Sequence, residues 1–410
     1  MKKSLIAIAA LTAAAGASAQ VTLYGRANLV VDSYSATGST GANPMPTDIA
    51  ARTRVIDSGS RIGFRVNEDL GGGARAFAVC ETGVNFDNGG AAGQSGAPNA
   101  SANTFCSREG HLGYGNKSWE TRIGRQNVFW THGELNQTGA NFLGADVQGA
   151  FQSPSSGMSF GAASRVDNTI LFQVNQGMAG SFAGSHFYYS TTAGENKGTP
   201  FSTSTTAVGT NGTTAIATGS VMGVKLNFSQ GPWVAMFDYA KQADSANNIA
   251  LATNADRTSM KTGAGFKYAK QSLVSVTIWE HETVFSLAAS KTATVTAVGP
   301  AAQAGDRKQS GWGLNLVHDL GAGLFAYGQY AKMGNAKGVT GVALVDTGAT
   351  GLLIGVRKNL SARTGVYAAA MQINNDRNNA INFTGGAYAP GVSQLGADPK
   401  IFQVGMMHNF

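Results

Sequence analysis

KIFQVGMMHNF, residues 400–410, is the last segment of the chain. Counted back in twos from Phe410 to Phe402, its residues are apolar apart from His408, and the residues between them are small or polar apart from Met407. A period of two is the period of a β-strand, so the two faces of this strand must lie in unlike environments. A chain that closes on such a strand with a terminal Phe is typical of a barrel in a membrane; the last edge strand of a soluble sandwich is the alternative.

The beginning of the chain has the features of a secretory signal peptide. Lys2 and Lys3 precede an apolar run that is too short to span a bilayer, and residues 17–19 (Ala-Ser-Ala) then provide a small-x-small cleavage site. We therefore expect residues 1–19 to be removed and the mature chain to begin at Gln20. The protein is then expected to leave the cytoplasm.

The composition favours strands over helices. Gly accounts for 55 of the 410 residues and Pro for only 9, and a bundle of helices would not tolerate so much Gly. Strands joined by tight turns and long polar loops would. After the signal peptide no apolar run approaches the roughly 18 residues of a transmembrane helix. We find no linker-like change of composition, so we expect residues 20–410 to form a single domain.

The alternation of the last strand recurs along the chain. It is found at residues 21–31, 60–67, 120–126, 167–174, 221–228, 233–239, 262–268, 273–279, 311–317, 324–330, 352–356 and 364–372. Alternation that persists in this way is the cumulative signature of a transmembrane β-barrel.

The connections between these segments fall into two sets. The short ones are residues 68–73, 116–118, 229–232, 269–271, 318–323 and 358–361. The long ones, rich in Gly, Ser, Thr and Asn, are residues 35–52, 88–104, 127–156, 191–219, 243–257, 283–308, 335–347 and 375–398. Short turns on one side and long loops on the other fit a periplasmic and an outer face. Eight long loops imply sixteen antiparallel strands, and a barrel of that size has an open aqueous lumen.

Several stretches resemble the general diffusion porins of Gram-negative outer membranes, especially the β-proteobacterial (neisserial-type) branch. They are Val21-Thr22-Leu23-Tyr24-Gly25, Ser58-Gly59-Ser60-Arg61-Ile62-Gly63-Phe64-Arg65, Glu68-Asp69-Leu70-Gly71-Gly72-Gly73, Ile123-Gly124-Arg125-Gln126, Arg165-Val166-Asp167-Asn168-Thr169-Ile170 and the closing Val404 to Phe410.

This resemblance implies an all-β, sixteen-stranded transmembrane barrel whose third long loop, residues 127–156, folds inward and narrows the pore. It also implies a homotrimer in the outer membrane, surrounded by lipid and lipopolysaccharide. The barrel-assembly machinery would recognise the last strand, so Phe410 is the candidate assembly signal.

The resemblance also implies a basic cluster on the barrel wall that faces acidic residues on the third loop. Matched motif by motif, the basic positions are Arg26, Arg61, Arg125 and Arg165. Strand parity points Arg26, Arg61 and Arg165 into the lumen together with Arg65. Parity points Arg125 outward unless a bulge redirects it, and Arg122, which has the inward parity, is the substitute candidate. The acidic candidates on the loop are Glu134 and Asp146.

These residues predict passive diffusion of small hydrophilic solutes and ions through a water-filled channel. Arginine stays protonated at any physiological pH, and rings of Arg or Lys favour anions, so we expect a weak to moderate anion preference. The alternative is a substrate-specific porin with a binding site for an organic acid or sugar, although no ordered track of aromatic residues indicates one. A structural barrel with a plugged lumen would need a filling segment that the sequence lacks.

Catalytic and other binding functions are poorly supported. Residues 157–161 (Gly-Met-Ser-Phe-Gly) match the G-x-S-x-G pattern, but a nucleophile elbow needs a following helix, and residues 162–174 read as a strand. Glu280-His281-Glu282 lacks the further spaced ligands of a zinc site. The formal charge of +7 is too dispersed for a nucleic-acid surface. We therefore expect no enzyme activity, no metal and no cofactor.

Two cysteines in an exported chain favour a disulfide. Cys80 and Cys106 lie on the segments that flank loop 88–104, nearly equidistant from its middle. The alternation of each segment allows both cysteine side chains to face outward. We therefore expect a cross-strand disulfide near the outer rim, with two free thiols as the alternative. This pair departs from the porins that the sequence resembles, so no role is carried over to it.

Overall fold

The chain forms an antiparallel sheet in which each strand pairs with the strand before it and the strand after it. The structure, a computed structural model, describes residues 20–40, 48–87, 105–128, 135, 147–152, 165–178, 180–190, 220–246, 254–285, 306–338, 344–383 and 395–410. The predicted signal peptide, residues 1–19, lies outside this part of the chain.

Sixteen strands make up the barrel. They are β1 (Gln20–Thr37), β2 (Ile49–Asp57 and Arg61–Gly71), β3 (Ala74–Gly83), β4 (Glu109–Gly115), β5 (Trp119–Asn127), β6 (Arg165–Val174), β7 (His186–Ser190), β8 (Val221–Gln230), β9 (Trp233–Ala246), β10 (Asn254–Ala269), β11 (Ser272–Phe285), β12 (Arg307–Gly321), β13 (Leu324–Met333), β14 (Ala349–Asn359), β15 (Thr364–Asn375) and β16 (Asp398–Asn409). A two-residue segment, Lys337–Gly338, adds a short ladder to the start of β12. The sixteen-stranded antiparallel barrel predicted from the loop count is confirmed.

The barrel closes where β1 pairs with β16. The register runs from Arg26 opposite Asn409 to Thr37 opposite Asp398. One further pair of backbone hydrogen bonds completes the seam, since Gly25 N donates to Phe410 O over 2.9 Å and Phe410 N donates to Gly25 O over 3.1 Å. Both segments of β2 pair with the other side of β1.

Strand β2 is interrupted at residues 58–60, where side chains replace the ladder. Asp57 Oδ1 accepts hydrogen bonds from the backbone N–H groups of Gly59 at 2.9 Å and Ser60 at 2.8 Å. From β1, Asn28 N donates to Ser60 Oγ over 2.9 Å, and Asn28 Nδ2 donates to Ser58 O over 3.0 Å. The polar backbone groups at the break are therefore satisfied.

The side chains alternate between an apolar outer face and a packed or polar inner face. On β14, Leu352, Ile354 and Val356 are 51%, 57% and 47% exposed, whereas Leu353 between them is fully buried. Large apolar side chains that are exposed in a regular row match the lipid-facing band of a transmembrane barrel. Among the described residues, no helix has the length and apolarity needed to cross a bilayer.

Aromatic side chains gather near the short turns. Trp119 lies 5.8 Å from Tyr114 and stacks on Phe172 at 6.0 Å, and Trp233 lies 4.8 Å from Phe266, all measured between ring centroids. Rings at this level form one of the interface girdles of outer-membrane barrels. The turn between β2 and β3 contains Gly71–Gly73, whose φ angles of 80°, 61° and 82° lie in a region open to glycine at little cost.

The sequence pattern did not indicate three of the strands and one of the short turns. In β3 the outward positions include Ala76 and Ala78, so the apolar contrast is missing, and β7 has only five residues. β4 is rich in glycine. The connection of residues 175–185, which includes a 3₁₀ turn at Gly180–Phe182, is the short turn that the sequence reading lacked. All four are required by the strand count that the long loops imply.

The third long loop, between β5 and β6, begins by packing against the barrel's inner wall. Val128 belongs to a buried apolar cluster with Val166 and Leu171. Leu135, which is 1% exposed, packs in another cluster with Val234 and Leu273. Both partners of Leu135 point inward, because the residues that alternate with them face outward.

A short helix in the same loop, α1 (Val147–Gln152), packs on the inner faces of β12 to β14. Gln329 Oε1 accepts hydrogen bonds from the backbone N–H groups of Val147 at 2.7 Å and Gln148 at 3.0 Å. Asn315 Nδ2 donates to Gln148 Oε1 over 2.7 Å, and Gln329 Nε2 donates to Asn315 Oδ1 over 2.8 Å. The described residues of the loop therefore lie inside the barrel, as predicted.

Candidate functional site: the pore constriction

The inner wall of β1 and β2 carries a pair of like charges. Arg26 has the same parity as Asn28 and Val30, which are buried inside the barrel, and it is paired directly with Arg61 across the ladder. Arg26 Nε donates to Asn409 Oδ1 over 2.9 Å. Directly opposed like charges repel, so this pair makes the wall strongly positive at one level.

Glu81 on β3 holds two arginines at that level. Arg61 Nε lies 3.5 Å from Glu81 Oε2, and Arg108 Nε lies 2.7 Å from Glu81 Oε1. Glu81 follows Cys80, whose cross-strand partner Phe64 faces outward, so the carboxylate faces inward. One acid shared between two guanidinium groups leaves a net positive charge.

Arg165 at the start of β6 completes this side of the wall. Its charge interacts with those of Arg108, Glu109, Glu81 and Arg61. Arg357 on β14 interacts in the same way with Arg26. We call Arg26, Arg61, Arg108, Arg165 and Arg357 the arginine cluster; its acidic members are Glu81 and Glu109.

Two other predicted arginines lie near the cluster but have partners of their own. The Arg65 guanidinium lies over the Tyr24 ring, 4.1 Å from its centroid, a cation–π contact. Arg122 Nε donates to Glu120 Oε1 over 2.8 Å, and Arg75 Nη2 contacts Glu120 Oε2 at 2.6 Å. Arg122 and Arg75 thus share one acid, Glu120, which lies on the same strand as Arg122.

Arg125 does not join the arginine cluster. A register shift does occur beside it, between Gly124 and Gln126, but the extra residue lies on the opposing strand β6. Arg125 therefore keeps the parity of Ile123, whose side chain is 61% exposed on the outer face, and its Nε donates to Ser107 O over 2.8 Å. The bulge needed to turn Arg125 inward is on the wrong strand.

The same shift alters β6. Asn168 has a φ of 51°, and beyond it Val166 is buried with Leu171 rather than exposed. The regular alternation that predicted an inward-facing Arg165 is therefore interrupted at Asn168. The charge of Arg165 nevertheless interacts with the charges of the arginine cluster.

On the opposite side of the lumen, the described residues Leu135 and Val147–Gln152 of the third loop pack on the wall. Glu134 and Asp146, the predicted acidic residues, lie outside the described part of the chain, as do residues 157–161. Each of the two acids immediately precedes a residue that is buried against the wall, namely Leu135 and Val147. In a closed ring of sixteen strands, the loop's contacts on β9 to β14 lie about half a circumference from the arginines of β1 to β4.

A further row of charges lies on the inner wall of β8 to β10. Asp238 is paired across the sheet with Lys225 on one side and Lys261 on the other. The two ammonium groups lie 3.9 Å and 3.7 Å from Asp238 Oδ2, and all three side chains are almost fully buried. Here too two cations share one acid, which adds to the positive interior.

A disulfide joins Cys80 to Cys106, with their Cα atoms 4.6 Å apart. It lies on the outer face of the wall, where Cys80 is paired with Phe64 and the Phe64 ring lies 6.0 Å from that of Phe105. Phe410 lies at the seam, where its ring occupies the space that a Cβ on Gly25 would need.

Sequence reasoning missed four members of the site: Arg108, Glu81, Glu109 and Arg357. Glu81 could have been found from parity, because it directly follows the outward-facing Cys80. Arg108 directly precedes β4 and Glu109 is its first residue, and the glycines of this strand hide its alternation. Arg357 is the only member from the second half of the chain, and no motif singled it out. Among the described residues, no group of His, Cys, Asp or Glu could hold a metal ion.

A closed barrel with an apolar outer face, a charged interior and a loop across its lumen defines a transmembrane β-barrel channel. Residues 6–378 match the family model described as Gram-negative porin, and the chain belongs to this family. Two curated relatives agree: an outer membrane porin protein of Bordetella pertussis is 28% identical over 396 residues, covering 90% of this chain and 93% of that protein. The major outer membrane protein P.IB of Neisseria meningitidis serogroup B is 39% identical over 77 residues, 19% of this chain and 23% of that protein.

Solved structures show the same fold. An anion-selective porin from Comamonas acidovorans matches with a TM-score of 0.66 and 21% identity, covering 96% of this chain and all of that one. The resemblance to porins read from the sequence is confirmed. The protein is a diffusion channel of the Gram-negative outer membrane, and this family membership makes it a channel rather than an enzyme.

Proposed function

We propose that the channel conducts small hydrophilic solutes and ions passively and prefers anions to cations. The observation that carries the proposal is the composition of the arginine cluster, in which, among the described residues, five arginines interact with two acids, Glu81 and Glu109. Rings of Arg or Lys favour anions in pores. The anion selectivity of the structurally similar Comamonas porin agrees with this reading.

The geometry suggests how the preference arises. The arginines lie on the wall of β1 to β6 and β14, while the third loop narrows the lumen from the side of β9 to β14. Charges at a constriction bordered by protein are screened less than charges in open water. A permeating anion therefore passes within the field of several guanidinium groups. If Glu134 and Asp146 face the lumen, the field also runs across the pore and orients dipolar solutes.

Planar bilayers test the proposal directly. Purified protein is inserted between two KCl solutions of different concentration, and the zero-current potential is measured. Anion preference makes the dilute side negative, because chloride crosses faster than potassium. A positive dilute side would contradict the proposal. A stepwise current with no zero-current potential would retain the open pore and refute only the selectivity.

We also propose that the channel is a homotrimer and that residues 1–19 are cleaved during export. The trimer is supported by the family resemblance and by the exposed apolar rows of the outer face, which can meet either lipid or another copy. Analytical ultracentrifugation of the detergent-solubilised protein tests the trimer, and N-terminal sequencing of protein from outer membranes tests a start at Gln20. A monomer, or a chain that retains Lys2, would contradict the respective proposal.

A further inference from the structure

The ladder that carries the arginine cluster stops just short of Arg108. β3 and β4 are paired from Arg75 opposite Gly115 to Glu81 opposite Glu109, and Glu109 is the last residue of the ladder on its strand. Arg108 lies one residue beyond that last pair. Its position therefore depends on contacts that the sheet itself does not provide.

The disulfide is the covalent contact nearest to this point. Cys80 directly precedes Glu81, and Cys106 lies two residues before Arg108. The bond therefore ties together the two backbone segments from which the Glu81–Arg108 ion pair, 2.7 Å long, projects. The sulfur atoms lie on the outer face and the ion pair on the inner face, so one bond on the outside fixes the charges on the inside.

Hydrogen bonds around Cys106 make the connection specific. Cys106 N donates to Thr82 Oγ1 over 2.8 Å, and Arg108 N donates to Glu81 O over 2.8 Å. Cys106 has a φ of 63°, a left-handed conformation that is unfavourable for a residue other than glycine. Such a conformation persists only where the surroundings hold it, and the disulfide with the Thr82 contact does so here.

We propose that the Cys80–Cys106 disulfide is a positioning element for ion selectivity: it holds Arg108 against Glu81 at the lumen wall. This inference rests on the proposed anion preference. Without the bond, the Cys106–Thr82 and Arg108–Glu81 hydrogen bonds alone would hold Cys106 and Arg108 against β3, and the Arg108 side chain would be free to leave Glu81, which stays fixed in its ladder. The wall would then lose one positive charge at the constriction and keep its negative one.

The test compares four proteins in planar bilayers: wild type, the double variant Cys80→Ser with Cys106→Ser, Arg108→Gln, and the combined triple variant. We expect the double variant and Arg108→Gln each to lower the anion-to-cation permeability ratio by roughly two-fold, the effect of one unit charge about 10 Å from the ion path in water at about 0.1 M salt. Because both act through the same side chain, the triple variant should fall no further than Arg108→Gln. A structural role of the disulfide alone would change heat stability but not the permeability ratio.

The outcomes separate the two proposals. A wild-type channel without anion preference refutes the proposed selectivity itself. An anion-selective wild type with an unchanged double variant, or with a triple variant in which the two effects add, overturns the positioning role alone. If the double variant does not fold, the oxidised wild-type channel is inserted first and then treated with a phosphine reductant. Loss of selectivity in channels whose two thiols are shown by labelling to be free supports the inference, and unchanged selectivity in such channels overturns it.

Discussion

Arg26 and Arg61 lie directly opposite each other on β1 and β2, and their charges are surrounded by those of further arginines on other strands. Like charges in facing positions of a sheet destabilise it by roughly 0.2–1 kcal/mol per pair. A wall that retains such a pair gives up stability for a positive potential in the lumen. The potential can therefore be lowered without weakening the barrel.

Arg61→Gln should lower the anion preference and leave the stability of the barrel unchanged or slightly higher. The substitution removes one charge of the opposed pair, while Glu81 keeps Arg108 as a partner at 2.7 Å. We expect the anion-to-cation permeability ratio to fall by roughly two-fold, the effect of one unit charge about 10 Å from the ion path in water at about 0.1 M salt. The zero-current potential and the temperature at which the folded band disappears on gels measure the two effects.

Arg125→Gln is the matched control for that experiment. It removes the same charge from a side chain with outward parity that donates to Ser107 O, so the permeability ratio should fall less than it does in Arg61→Gln. A fall equal to that of Arg61→Gln would mean that selectivity follows total charge rather than the charge facing the lumen.

Selectivity should weaken as salt increases. The Debye length is about 10 Å at 0.1 M and about 3 Å at 1 M ionic strength, so an ion in the lumen escapes the field of the arginines in concentrated salt. With the concentration ratio across the bilayer held constant, the zero-current potential should shrink towards that of a neutral pore. A potential that does not change would indicate that anions are bound at close contact rather than attracted from a distance.

Gly351→Ala should narrow the pore. A Cβ at Gly351 would fall well inside the van der Waals radius of Val147 Cγ1, so α1 would have to move away from the wall and into the lumen. We expect a lower single-channel conductance in the same salt. Gly328→Ala on the neighbouring strand is the control, because its Cβ would meet only Leu316 Cβ at 3.8 Å. Equal conductances for the two variants would argue against contact between α1 and this wall.

Phe410→Ala should separate recognition of the last strand from its packing. The backbone bonds between Gly25 and Phe410 do not need the ring, so refolding in detergent should proceed. If Phe410 is the assembly signal, the amount of folded protein in outer membranes should fall sharply. Phe402→Ala removes a ring from the outer face of the same strand, where it is 57% exposed, and should be tolerated. Equal losses for both variants would contradict a special role of the terminal residue.

The sequence was informative wherever the outer face carries large apolar side chains. Leu352, Ile354 and Val356 allowed β14 to be predicted as a strand. Ala76 and Ala78 gave β3 no apolar alternation, so β3 was not predicted. The number of strands was still correct, because long polar loops are easier to recognise than weakly patterned strands.

The site was predictable in part for a similar reason. Arg26 and Arg61 lie in regular strands, where parity is reliable. Parity pointed Arg125 outward unless a bulge redirects it, and whether a bulge does so depends on pairing with a distant segment, which is not visible in local alternation. Arg108 lies where a ladder ends, and the contacts of Leu135 with β9 and β11 arise only when the chain has closed. Parity describes a strand by itself; a constriction is made by several strands and a loop together.

The seam between β1 and β16 has a consequence for how the channel fails. Since every strand is bonded on both sides, the sheet has no free margin from which unpairing could spread. Removing any one strand therefore means breaking two ladders at once. We therefore expect individual channels to remain fully conducting until they are lost altogether, with few partly opened, leaking forms between.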